Sequence, residues 1–73
     1  MTNTELLERE IADSGIKKGK IAETLGISYV TLRRKMYNES PFDTIEIIKL
    51  CKLLDIKGLK KRDEIFFAEN VDL

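Results

Sequence analysis

Apolar residues return along this chain at intervals of three or four, the period of helices that bury one face. Thr2-Asn3-Thr4-Glu5 has the Ser/Thr-x-x-Glu spacing in which the threonine caps a helix and the glutamate reaches back to it. Leu7 and Ile11 follow four apart, and Gly15 suits the left-handed residue that ends a helix, which predicts a first helix over about residues 3–13. A second is predicted over about 18–25, with Ile21, Ala22 and Leu25 on one face and Gly26 as its stop. Ser28 is a good cap for a third helix reaching about Asn38, with Leu32 and Met36 turned inward. The clearest start signal lies further on. Asp43 caps, Glu46 occupies the third helical position, and Phe42 and Ile47 flank them at hydrophobic-staple spacing. Pro41 keeps this fourth helix apart from the third, and Ile47, Ile48, Cys51 and Leu54 are its expected buried stripe, with Gly58 beyond its end. A last short helix, about 61–68, carries Ile65, Phe66 and Phe67. No stretch sustains an alternating pattern, so the expectation is an all-α fold with no sheet.

Seventy-three residues make one small domain, spanning 1–73, with a modest core. Ile65, Phe66, Phe67, Val71 and Leu73 offer more apolar surface than one short helix buries. Part of it is expected to pack on the first helix and the rest to support a weak homodimer. No apolar run approaches the roughly 20 residues that cross a bilayer. The first residues have neither the basic patch nor the apolar stretch of a signal peptide, so no membrane association is expected and the location is taken as cytoplasmic. The lone Cys51 cannot form an intramolecular disulfide and reads as a small core hydrophobe. The absence of histidine removes histidine-based metal sites and the commonest general base. The acids are scattered, so no enzyme, cofactor, metal or small-molecule substrate is expected.

The net charge is zero, but its distribution is uneven. Residues 17–38 carry six bases (Lys17, Lys18, Lys20, Arg33, Arg34 and Lys35) against the single acid Glu23, whereas residues 1–16 and 39–56 are net acidic. A local positive field of this kind is what phosphate neutralisation requires. It also coincides with a motif. In Ile21-Ala22-Glu23-Thr24-Leu25-Gly26-Ile27-Ser28, Ala22 allows two helices to cross closely and Gly26 supplies the positive φ of a short turn. Ile27 plugs the angle between the helices and Ser28 caps the second.

On these residues the chain resembles the Cro/repressor-type helix-turn-helix domains of temperate phages and bacteria. Arg34-Lys35-Met36-Tyr37-Asn38 followed by Pro41-Phe42 is similar to that family's exit from its recognition helix, and Asp63-Glu64-Ile65-Phe66-Phe67 to the closing segment of small Gram-positive phage members. The resemblance implies a compact five-helix lambda-repressor-like domain, its helix-turn-helix core at about 18–38. It also implies a phage or prophage transcriptional regulator of the lysis-lysogeny switch, usually dimeric, in the cytoplasm of a bacterial host. Double-stranded operator DNA would be its partner. The first part of the third helix would enter the major groove, with Ser28, Tyr29, Val30 and Arg33 facing bases. Lys18, Lys20, Arg34, Lys35 and Asn38 would position the domain on phosphates. Two features depart from the family pattern: Lys17-Lys18-Gly19 stands where many members begin their second helix with a Thr or Ser cap and a Gln, and the total charge is neutral. They keep a second expectation open, an anti-repressor or modulator that binds the phage repressor protein through the same surface.

Overall fold

The computed structural model describes residues 1–69, among which lie five helices, three of them started by a side-chain cap. Helix α1 (Thr4–Ser14) is capped by Asn3, whose side-chain oxygen accepts from the Leu6 N–H at 3.1 Å. This corrects the expected Thr2 cap. Thr2 is instead buried and clasped by Asn38, which accepts from the Thr2 N–H at 2.8 Å and donates to its carbonyl at 2.9 Å. Gly15 closes α1 at φ 72°.

Helix α2 (Lys18–Leu25) spans the predicted residues and ends at Gly26, also at φ 72°. There the Ile27 N–H reaches back to the Ala22 carbonyl at 3.0 Å, so the chain reverses within three residues. Helix α3 (Tyr29–Met36) is capped by Ser28, which accepts from the Thr31 N–H at 3.0 Å. It stops two residues short of expectation because Asn38 turns to φ 64° and the Glu39 N–H closes on the Arg34 carbonyl at 2.8 Å. Asparagine tolerates this conformation better than most residues.

Helix α4 (Thr44–Leu53) starts on the predicted capping box: Asp43 accepts from the Glu46 N–H at 2.7 Å, and Glu46 accepts from the Asp43 N–H at 2.9 Å. Its inward stripe is Ile47, Leu50 and Leu54 with Cys51 half-buried. Ile48, expected inside, is 49% exposed. The stripe follows i, i+3, i+4 and i+7 from Ile47, which brings Leu50 in and turns Ile48 away. Gly58, at φ 87°, leads directly into α5 (Leu59–Phe66), which starts about two residues earlier than expected.

The fully buried side chains Leu7, Ile21, Leu32, Met36, Leu50 and Ile65 come from all five helices, so one core serves them all. Phe42 meets Phe66 edge-on, ring centroids 5.6 Å apart, and Ile27 packs against the core from the α2–α3 turn. The expected packing of the last helix on the first is present. Ile65 and Phe66 are buried, and the Ile65 carbonyl accepts from the Asn3 N–H at 2.7 Å. Phe67 is exposed, and Val71 and Leu73 lie outside the described residues. The radius of gyration, 11.3 Å, matches the roughly 11 Å of a compact chain of this length. No strand occurs among the described residues, and no helix is long and apolar enough to cross a membrane.

Candidate functional site

Leu32 and Met36, both fully buried, fix the rotation of α3 about its own axis. With those two residues inward, Tyr29, Val30, Arg33 and Arg34 stand outward; Tyr29 is 46% and Val30 56% exposed. Together with Tyr37 and Glu39 they line a shallow concavity of about 340 Å³. Ser28, at the exposed start of the helix, spends its hydroxyl locally. It caps the Thr31 N–H and donates to the Thr31 Oγ1 at 2.9 Å. Tyr29 and Val30 in the first turn and Arg33 in the last therefore all stand on the exposed side of α3, with Ser28 acting on the helix itself.

The basic residues divide into two groups. Among the described residues, Lys17, Arg33 and Arg34 make no ion pair. The other three bases of the segment do. Lys20 meets Glu23 at 3.4 Å on the exposed surface of α2, a contact that solvent competes with easily. Lys18 meets Glu8 of α1 at 2.8 Å, with side chains 26% and 31% exposed. Lys35 meets Glu46 of α4 at 2.7 Å, and there the side chains are only 15% and 9% exposed.

Two expectations are corrected by these contacts. Lys35 is not placed to meet a phosphate, because its ammonium is drawn inward to a carboxylate that also holds the start of α4. Asn38 is not placed to do so either, because its amide oxygen and nitrogen both serve Thr2. Both interactions join residues far apart in the chain, and neither partner follows from local spacing.

Glu8 and Tyr37 belong to the site although Glu8 carried no functional expectation. The Tyr37 hydroxyl donates to Glu8 Oε2 at 2.9 Å while Lys18 donates to Oε1, so one carboxylate joins the start of α2 to the end of α3. The hydrogen bond from Lys18 holds the Glu8 carboxyl below its ordinary value of 4.5, against the opposing effect of partial burial. The same bond raises the Lys18 ammonium above its ordinary value of 10.5. The Arg33 guanidinium lies over the Tyr37 ring, 5.2 Å from its centroid, which restrains the arginine on the outer face. The available sequence signal for Glu8 was only that an acidic first helix adjoins a basic segment.

In chemical terms the outer face of α3 offers two forked cations, a phenol and a small apolar side chain. That set suits a surface rich in hydrogen-bond acceptors and anionic oxygens. Burial raises the Cys51 thiol above its ordinary value of 9.0, which disfavours the reactive thiolate. Among the described residues no three His, Cys, Asp or Glu side chains are grouped to hold a metal ion. No family model, curated protein or solved structure matches this chain, so its functional reading rests on the residues described above.

Proposed function

We propose that this protein is a phage or prophage transcriptional regulator that binds operator DNA, with α2 and α3 as a helix-turn-helix and α3 as the recognition helix. One observation carries the reading. Tyr29, Val30, Arg33 and Arg34 stand on the solvent side of a helix whose inner side is locked by Leu32 and Met36. A short helix held this way can enter a major groove without disturbing the core. Arg33, with two parallel donors, suits the O6 and N7 acceptors of a guanine, and Val30 suits a thymine methyl. Arg34, Lys20 and Lys18 serve as phosphate contacts that set the register. A near-palindromic operator would take two copies, in the bacterial cytoplasm.

The second reading, capture of a phage repressor protein by the same face, is favoured by the neutralisation of Lys18 and Lys35 by Glu8 and Glu46. The exposed rings of Tyr29 and Tyr37 favour it too, since aromatics and arginines dominate protein interfaces. Titration of the control-region duplex, with and without the neighbouring repressor, separates the two. Under DNA binding, Arg33→Ala costs about 1–3 kcal/mol and relaxes preference at one base position, while Arg34→Ala weakens all sequences alike. Absence of duplex binding at low salt, with tight and Tyr29-dependent binding of the repressor, would overturn the DNA reading.

A further inference from the structure

We propose that Glu8 is an internal competitor for backbone phosphate, a residue of α1 that suppresses sequence-independent binding by occupying Lys18. The inference rests on the DNA-binding reading above. Lys18 is the first residue of α2 and presents a single cationic head, yet that head already has a carboxylate oxygen at 2.8 Å. A phosphate oxygen needs the same donors at about the same distance. The pair is only partly covered, so an incoming phosphate can reach it, but it must compete with a carboxylate that has a second partner. Its other oxygen is held by Tyr37 at 2.9 Å, and α1 is anchored in the core by the buried residues Leu7 and Ile11 on either side of Glu8. A phosphate at Lys18 therefore either breaks the contact or sits beside a negative charge. Lys20 faces no such obstacle, because its partner Glu23 lies on the same helix with both side chains largely in solvent.

Arg33 feels the same charge at longer range, since it lies over the ring whose hydroxyl Glu8 accepts. Glu8 thus weakens the attraction to any phosphate while leaving the outward donors of Arg33 for a correctly placed base. The consequence is selectivity: less affinity for every duplex, with a larger share of what remains coming from base contacts.

The test uses Glu8→Gln, which keeps one oxygen able to accept from Tyr37 and replaces the charged oxygen facing Lys18 with an amide nitrogen that cannot accept from it. Glu5→Gln is the control, because it changes the net charge equally from an exposed position on the same helix. Affinity of the full chain for a random-sequence duplex and for the operator duplex is measured across a salt series. The expected result is a steeper salt slope by about one unit for Glu8→Gln, with random-duplex affinity up to about eightfold higher at about 0.1 M salt. Glu5→Gln should match wild type, and most of the gain should vanish in Glu8→Gln/Lys18→Gln, leaving the smaller long-range effect on Arg33. Equal behaviour of Glu8→Gln and wild type on a duplex that wild type does bind overturns the inference alone. Equal gains in the Glu8→Gln and Glu5→Gln variants also overturn it, by reducing the effect to net charge. A wild-type protein that binds neither duplex overturns the DNA reading, and the inference with it.

Discussion

Lys35 and Lys18 stand near opposite ends of the basic segment, and each meets a glutamate supplied by a flanking helix. At Lys35 the pair is nearly dry, and Glu46 also holds the first turn of α4, so the charges are part of the joint between α3 and α4. At Lys18 the pair lies at the rim, shares its carboxylate with a tyrosine, and borders the proposed recognition face. The same residue types thus make a structural joint in one place and an adjustable surface in the other. Solvent access makes the difference: burial fixes an ion pair by making separation costly, whereas exposure leaves it open to exchange.

The largest effect is expected from breaking the buried pair. Glu46→Ala strands the Lys35 ammonium and removes half of a capping box, and it should cost about 3 kcal/mol in a urea melt. The long lysine stem can turn its head toward water, which places the loss at the lower end of the range for buried pairs. Replacing both partners, as Lys35→Met/Glu46→Leu, should restore much of the stability, because an apolar pair leaves no charge unmatched. If the single variant loses under about 0.5 kcal/mol, the joint has been misjudged.

A smaller effect belongs to the rim. Glu8→Gln should change stability at neutral pH by no more than about 1 kcal/mol, since both side chains are partly in solvent. The pH profile carries the sharper information. The folded Glu8 carboxyl titrates below 4.5, so its stabilisation is complete above that value and is lost as pH falls through the folded value. Lys18 titrates above 10.5, so the ammonium side of the pair persists across the neutral range. Urea melts of wild type and Glu8→Gln should therefore differ near neutrality and converge in acid. Parallel profiles down to about pH 3 would show that the pair contributes no linked proton.

The smallest effect is expected at Arg33. Arg33→Ala should alter stability by no more than about 0.5 kcal/mol, because the exposed side chain makes no ion pair among the described residues and lies over an exposed ring. A loss as large as that of Glu46→Ala would make Arg33 a structural residue and remove it from the proposed interface.

What the sequence disclosed follows the range of each interaction. Gly26, Ser28 and the Asp43–Glu46 box act within one turn, so their residues alone marked where α2 ends and where α3 and α4 begin. Leu32 and Met36 were legible because a single helix repeat separates them. Thr2 and Asn3 are adjacent and chemically similar as caps. The choice between them is made by Asn38, 36 residues away, which draws Thr2 into the interior. The phase of α4 was open for a related reason. Isoleucines at 45, 47 and 48 with leucines at 50, 53 and 54 offer several apolar stripes, and only packing against the other helices selects one. At the candidate site the outward residues of α3 followed from its phase. The engagement of Lys35 and the central position of Glu8 depend on pairings between helices that a linear reading does not contain.

The clasp between the first residues and α5 also bears on how quickly the fold assembles. The turns joining α1, α2 and α3 span three residues each, so those helices meet soon after they form, within loops short enough to close in about 10–100 ns. The Asn3 N–H, by contrast, finds the Ile65 carbonyl across 62 residues, and the Met1 carbonyl meets the Ala68 N–H across still more. Closing so long a span adds entropy that grows only logarithmically with length, yet it yields nothing until both ends are already shaped. The clasp therefore depends on structure already present at both ends, and it ties the start of the chain to α5 across the same core that holds the central helices.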